Sequence, residues 1–272
     1  MSSTTTAHVY WFHGFAGSGK SAISLEIAKI YAGSGRLLAC YFFFRNAGDR
    51  SRMNRFAVTL ASQLAAAVPA AASFIKAAID TEPGLLTQGV SLATQMERLV
   101  YHPFQAAVRR GLILTTLLRG PFIIVIDGLD ECEDKQGIEE FITHMLDFFK
   151  TYPSVPLRVF IASRVEQHIH AHLKADGVLL GNLDDYSPDE DIDTFLQTSF
   201  QIAVKQDPII QAYIHEHGNW PTTSDMGKLI RHIRGSFVLC IYNFQIHRST
   251  NHRSRSHDAN GPPPSHPGDE RP

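Results

Sequence analysis

Cysteine is scarce in this chain of 272 residues, which has only Cys40, Cys132 and Cys240 and no C-x-x-C pair. An odd and scattered set argues against a disulfide framework or a cysteine zinc site, and it predicts a reducing compartment. The net charge of −2 gives no reason to expect a nucleic acid or acidic membrane partner. No apolar run approaches the roughly 20 residues that span a bilayer, and residues 1–6 lack the basic and apolar parts of a leader. These absences predict a cytoplasmic protein.

Apolar residues are plentiful, at 44% of the chain, and their spacing alternates between two kinds of pattern. Short apolar runs typical of buried strands alternate with segments of helical periodicity. Such alternation predicts an α/β three-layer fold with a mostly parallel sheet. The predicted strands are residues 8–13, 37–44, 121–126, 157–162 and 178–180. The predicted helices are residues 22–30, 54–68, 70–79, 91–118 (broken near Pro103 and Gly111), 137–150 and 165–173.

From Ser187 onward the pattern is helical only. Ser187 is predicted to cap a helix with Pro188 at its first position, and further helices are predicted at residues 207–217 and 224–233. Past residue 246 the chain holds no large apolar side chain, so it cannot bury enough surface to order itself. Three parts are therefore predicted: a core at 1–184, a helical lid or partial second domain at 185–244, and a disordered tail at 245–272.

The most specific motif is G-x-x-x-x-G-K-S between the first strand and the first helix. This order of strand, glycine loop and helix is typical of a phosphate-binding loop, because backbone N–H groups and the helix start surround an anion. A lysine in the motif reaches the β- and γ-phosphates, and the following serine binds Mg²⁺. A chance glycine-rich turn is the alternative, and the flanking elements disfavour it. The predicted nucleotide-binding residues are Gly14, Phe15, Ala16, Gly17, Ser18, Gly19, Lys20 and Ser21.

A second set of polar residues follows the strand at 121–126. Asp127 comes at the carboxyl end of this strand, where ligands bind in open α/β sheets, so we expect it to hold Mg²⁺ together with Ser21. We expect this strand to be the neighbour of the first one. Asp130 or Glu131 is predicted to orient or deprotonate the attacking water. An ordinary acidic turn is the alternative.

Arg164 ends the fourth predicted strand, in Ala162-Ser163-Arg164. A basic group at this position could sense or stabilise a γ-phosphate and so take part in catalysis. It could equally be a strand-end arginine paired with an acid, with Glu166 or Asp130 as partner. The residues leave these two interpretations open.

Four segments together resemble a known family: WFHGFAGSGKS at 11–21, FFFR at 42–45, IIVIDGLDEC at 123–132 and FIASR at 160–164. They are similar to the NACHT-type P-loop NTPase domains of the signal-transduction ATPases, and most similar to the fungal nephrocystin 3-like N-terminal group. The resemblance covers about residues 8–242. It implies a nucleotide-controlled switch in which a helical lid packs differently in the two nucleotide states.

Within that family, Lys20, Ser21 and Asp127 match the phosphate and metal positions, and Arg164 matches a sensor arginine. The resemblance also implies self-association or an effector protein, acting through domains that this chain does not contain. We therefore predict Mg²⁺-dependent binding of ATP or GTP with slow hydrolysis in a signalling switch. The alternative is a nucleotide-binding or assembly module without turnover. A small-molecule P-loop kinase ranks last, because residues 176–193 are acidic where a kinase lid would carry arginines.

Overall fold

The computed structural model describes residues 7–87, 89–218, 220–233 and 235–236. The chain divides into two compact units between Tyr186 and Ser187, whereas the predicted core ended at residue 184. The predicted disordered tail at 245–272 and the end of the predicted lid lie outside the described residues. Within the part of the chain that is described, no helix has the length and apolar character needed to cross a membrane.

The described residues of the first unit form one sheet of five parallel strands in the order β2-β3-β4-β1-β5. The central strands are almost continuously apolar because helices cover both of their faces, and all six residues of β3 are buried. The strand bounds are β1 Val9–His13, β2 Leu37–Phe42, β3 Phe122–Asp127, β4 Leu157–Ser163 and β5 Val178–Asn182. Since the strands are parallel, all five carboxyl ends lie at one edge of the sheet.

Helices pack on both faces of this sheet. Helix α1 (Lys20–Gly33) covers one face, where Ala28 joins a cluster with Phe12, Val125 and Phe160. The opposite face carries the larger apolar core, to which the other described α-helices of this unit contribute. These are α2 Phe56–Ala67, α3 Pro69–Thr81, α4 Leu92–Met96, α5 His102–Arg109, α6 Leu114–Leu117, α7 Lys135–Thr151 and α8 Gln167–Leu173. The predicted α/β three-layer fold is confirmed.

The predicted helix break near Pro103 is wrong. Helix α4 continues into α5 through a π-helical turn at Glu97–Tyr101, in which the His102 N–H bonds to the Glu97 carbonyl. A proline inside a helix lacks a donor N–H and clashes with the preceding turn, and a wider π turn relieves both problems. The break near Gly111 is confirmed, because this residue has a positive φ of 70°.

The second unit contains α9 (Asp189–Gln206), α10 (Pro208–His217) and α11 (Thr223–Ile233). Its own small core is formed by Ile192, Leu196, Met226 and Ile233. The predicted Ser187 cap is displaced by one residue, because Pro188 precedes the first helical residue Asp189 and no side chain caps this end. The other two predicted helices are confirmed.

Candidate functional site

The glycine-rich loop, residues Gly14–Ser21, follows β1 at the carboxyl edge of the sheet, and its last two residues form the start of α1. Gly17 and Gly19 have φ values of 79° and 97°, a left-handed backbone that side chains disfavour. The Ser18 hydroxyl donates to the carbonyl of Phe15 at 2.9 Å, which closes the turn. Gly17 and Gly19 therefore have a conformational reason to be glycine.

Lys20 folds back across this loop. Its ammonium donates to the carbonyls of Gly14 at 2.9 Å and Phe15 at 2.6 Å. Burial lowers the pKa of Lys20, while the nearby carboxylates of Asp130 and Asp127 act in the opposite direction. The ammonium is thus a partly desolvated charge between the loop and the acids at the same sheet edge.

Asp127 ends β3, and the structure corrects its predicted place in the sheet. β3 is not the neighbour of β1, because β4 lies between them. Helix α1 makes the connection instead: the Ser24 hydroxyl donates to Asp127 Oδ1 at 2.8 Å, and the Ser21 hydroxyl lowers the pKa of this carboxylate. Strand adjacency was not needed, because α1 leaves the end of β1 and packs over β3.

The surroundings of Asp127 fit a magnesium ion. Asp127 is 4% exposed, and burial raises its pKa, whereas Ser21 and Ser24 lower it. A desolvated carboxylate beside a hydroxyl is a hard oxygen donor set, and Mg²⁺ is usually held by one or two carboxylates with phosphates and water. No cluster of three metal-binding side chains occurs among the described residues.

Asp130 forms a two-point contact with Arg164. The Arg164 Nε donates to Asp130 Oδ2 at 2.7 Å, and the Arg164 backbone N–H donates to Oδ1 at 2.9 Å. The Asp130 side chain is 3% exposed, and its hydrogen bond raises the pKa of Arg164. The structure thus shows the pairing of Arg164 with an acid, which was one of the two interpretations that the sequence left open. The sensor role of Arg164 stays a prediction.

Glu131 is held by the loop that follows β2. Its Oε2 accepts the backbone N–H of Arg45 at 3.0 Å, and the Phe43 N–H donates to the Asp127 carbonyl at 2.9 Å. Gly128 has a φ of 68°, and a Cβ there would lie 3.0 Å from the Phe43 carbonyl oxygen. The acidic loop after β3 is therefore held closely by its neighbour.

Two residues of this edge were missed at the sequence level, Ser24 and Asp184. Ser24 had a signal, because it lies three residues after Ser21 and so on the same face of the helix. Asp184 had none: its Oδ1 accepts the Phe15 N–H at 3.1 Å only because β5 pairs with β1. A Cβ on Gly14 would lie 3.1 Å from that same oxygen.

The family model described as nephrocystin 3, N-terminal, matches residues 1–164. The matched part contains β1 to β4, the glycine-rich loop, Asp127 and the Asp130–Arg164 pair. The chain belongs to the nephrocystin 3 N-terminal family. A search of curated proteins finds no match to this chain.

Membership of this family confirms the nephrocystin 3 N-terminal part of the resemblance noted in the sequence. The match ends at Arg164, so β5, Asp184 and the helices of the second unit lie beyond it. The NACHT-type assignment, the nucleotide and its hydrolysis are proposals, which the geometry of the sheet edge supports as follows.

Proposed function

We propose that this protein is a NACHT-type P-loop NTPase module, which binds the Mg²⁺ complex of ATP or GTP and hydrolyses it slowly as a signalling switch. One observation carries the proposal: Ser24, on the helix that begins in the glycine-rich loop, donates to the acid that ends β3. The Ser21 hydroxyl of the same helix lowers the pKa of that acid. A phosphate chain at the loop would therefore lie beside a carboxylate. That is the pairing that magnesium-dependent phosphate chemistry requires.

The glycine-rich loop supplies the phosphate contacts in this proposal. Its backbone N–H groups and the first turn of α1 present donors and partial positive charge to an anion. Lys20 would exchange the carbonyls of Gly14 and Phe15 for phosphate oxygens. Because its ammonium is already partly desolvated, it loses less hydration on meeting an anion than an exposed lysine would.

Ser21 and Asp127 are the side chains that would hold Mg²⁺. The metal would neutralise charge on the β- and γ-phosphates. In a largely dissociative transfer the protein supplies positioning and charge stabilisation and forms no covalent bond. Glu131 or Asp130 would orient the attacking water, and the Arg164 guanidinium would stabilise charge on the terminal phosphate.

A module without turnover is the second candidate, and a specific observation favours it. Asp130 is engaged twice by Arg164, and Glu131 accepts a backbone N–H from Arg45. Both candidates for activating water therefore already have partners. A chain of this kind could bind nucleotide tightly and release no phosphate.

Titration with fluorescent ATP and GTP analogues, with and without Mg²⁺, tests binding. Lys20→Ala removes the charge that reaches the phosphates, so affinity should fall about 10- to 100-fold, from the roughly 1.5–3 kcal/mol of a charged hydrogen bond. Lys29→Ala is the matched control, because Lys29 lies on the same helix with its side chain 62% exposed. Absence of affinity for both nucleotides in the presence of Mg²⁺ would contradict the proposal.

Single-turnover phosphate release then separates the two candidates. If the protein hydrolyses nucleotide, Glu131→Ala or Asp130→Ala should slow release while binding is retained. If it is a module without turnover, the unaltered protein binds nucleotide and releases no phosphate above the rate in buffer.

A further inference from the structure

Ser24 is a buried polar residue at the centre of the candidate site. It is fully buried, at 0% exposure, in the second turn of α1. Its hydroxyl oxygen lies 2.8 Å from Asp127 Oδ1 and 2.9 Å from the backbone carbonyl of Lys20. The hydroxyl is thus the point where the helix of the glycine-rich loop meets the acid of β3.

The hydroxyl has one proton and two acceptors within reach. Hydrogen bonds to an ionised carboxylate are roughly twice as strong as those between neutral groups, so an ionised Asp127 receives the proton. The Lys20 carbonyl is the ordinary acceptor that a serine finds four residues back in a helix. The short contact with Asp127 is therefore the informative one, and it fixes one oxygen of the carboxylate.

We propose that Ser24 is a positioning residue, which orients the Asp127 carboxylate toward the metal of the proposed nucleotide site. This inference rests on the proposed function. A terminal carboxylate torsion is broad and roughly two-fold, so an unanchored Asp127 would sample orientations that turn away from Ser21. Ser24 restricts that rotation across the gap created by β4 between β1 and β3.

If Ser24 has this role, its removal should change the Mg²⁺ concentration that nucleotide binding requires, and it should not change the affinity for nucleotide in the absence of Mg²⁺. Removing a partner that orients a metal ligand typically costs 10- to 100-fold in metal affinity. The Ser21 hydroxyl still favours the ionised form of Asp127 in this variant, so we expect the lower end of that range. In Ser24→Ala, the Mg²⁺ concentration for half-maximal binding of a fluorescent ATP analogue should rise about 10-fold. Nucleotide binding without Mg²⁺ should be unchanged, because the loop itself makes those contacts.

Ser51→Ala is the matched control. Ser51 is also a buried serine, at 1% exposure, but its hydroxyl donates to the backbone carbonyl of Gly48 and not to a carboxylate. Its Mg²⁺ midpoint should equal that of the unaltered protein. Ser24→Cys keeps a similar size and provides a weaker donor, so its Mg²⁺ midpoint should also rise. Unfolding temperatures measured without Mg²⁺ show that each variant is folded before titration.

Three results would overturn the role of Ser24 while leaving the proposed function intact. The first is an unchanged midpoint in Ser24→Ala in a protein whose unaltered form binds nucleotide with Mg²⁺. The second is an equal rise in Ser51→Ala, and the third is a midpoint in Ser24→Cys equal to that of the unaltered protein. If the unaltered protein shows no Mg²⁺-dependent binding, the proposed function itself fails instead.

Discussion

Asp127 is a carboxylate in a place where burial disfavours its charge. Burial is the largest influence on this group and raises its pKa, although Ser21, Ser24 and Lys20 lower the pKa. In a site that receives no cation, such a group reduces stability at neutral pH. In a metal site the same group is useful, because a desolvated carboxylate meets the cation with little solvent to displace.

Asp127→Asn should stabilise the metal-free protein. A raised pKa means that the folded chain holds this proton more tightly than the unfolded chain does. The contribution of Asp127 is therefore most favourable below the ordinary aspartate pKa and declines as pH rises through the raised value. At neutral pH the variant should melt about 2–4 °C higher for each kcal/mol gained, and the difference should vanish in acid. Thermal unfolding across pH measures both.

Asp147→Asn is the control for that comparison, because the Asp147 side chain is 63% exposed and pairs with Lys150 at the surface. Asp147→Asn should not raise the unfolding temperature at neutral pH. Asp127→Asn should also abolish the Mg²⁺ dependence of nucleotide binding. A variant that is less stable than the unaltered protein at neutral pH would contradict the argument from burial.

At the scale of elements, two loops on adjacent strands hold the candidate catalytic acids. The loop after β3 turns at Gly128. In the loop after β2, the Phe43 N–H donates to the end of β3 and the Arg45 N–H donates to Glu131. The turn is tight, because the Gly128 backbone is left-handed and lies against the Phe43 carbonyl. The two loops therefore hold Glu131 in place, so a substitution that distorts one loop should also displace the other.

Gly128→Ala should destabilise the protein by about 1–3 kcal/mol, since a non-glycine residue in a disfavoured backbone region has roughly this cost. Its Cβ would also meet the Phe43 carbonyl at 3.0 Å. Gly33→Ala, at the end of α1 with nothing within 4 Å of the added Cβ, is the control. The control should be neutral or gain up to about 1 kcal/mol. Denaturant unfolding compares them, and equal effects of the two changes would contradict the proposed tightness of the turn.

At the scale of the whole molecule, the sheet order brings together residues from four parts of the chain. The glycine-rich loop, the acids after β3, Arg164 after β4 and Asp184 after β5 meet at one edge because all five strands are parallel. Only the first unit contains this edge. Its proposed ligand should therefore stabilise that unit.

Mg²⁺ with ATP or GTP should raise the unfolding temperature of the first unit. Mass action gives about 2.7 kcal/mol at a ligand concentration of 100 times the Kd. The shift should grow with the logarithm of ligand concentration and should be smaller in Lys20→Ala. Amide exchange should slow at residues 14–21 and 127–131. Equal shifts in Lys20→Ala and the unaltered protein would indicate binding at another place.

Much of the local structure could be predicted because local patterns carry it. The order of strand, loop and helix around Gly14–Ser21 follows from short-range apolar spacing and from glycine's freedom to adopt positive φ. The continuation of the helix past Pro103 could not be predicted, because a π turn depends on how the whole segment packs. The nephrocystin 3 N-terminal family was also recognisable from four short segments of sequence.

Contacts between distant segments required the folded chain, because strand order is set by how the helices pack and not by spacing along the sequence. The placement of β4 between β1 and β3 made Ser24, and not a neighbouring strand, the link to Asp127. From the sequence, the pairing of Arg164 with an acid was one of two interpretations. In the folded chain β3 and β4 are adjacent, and Arg164 Nε lies 2.7 Å from Asp130 Oδ2. Local elements and their order thus follow from the amino-acid sequence alone, whereas contact partners do not, because the partners lie far apart along the chain and meet only in the folded sheet.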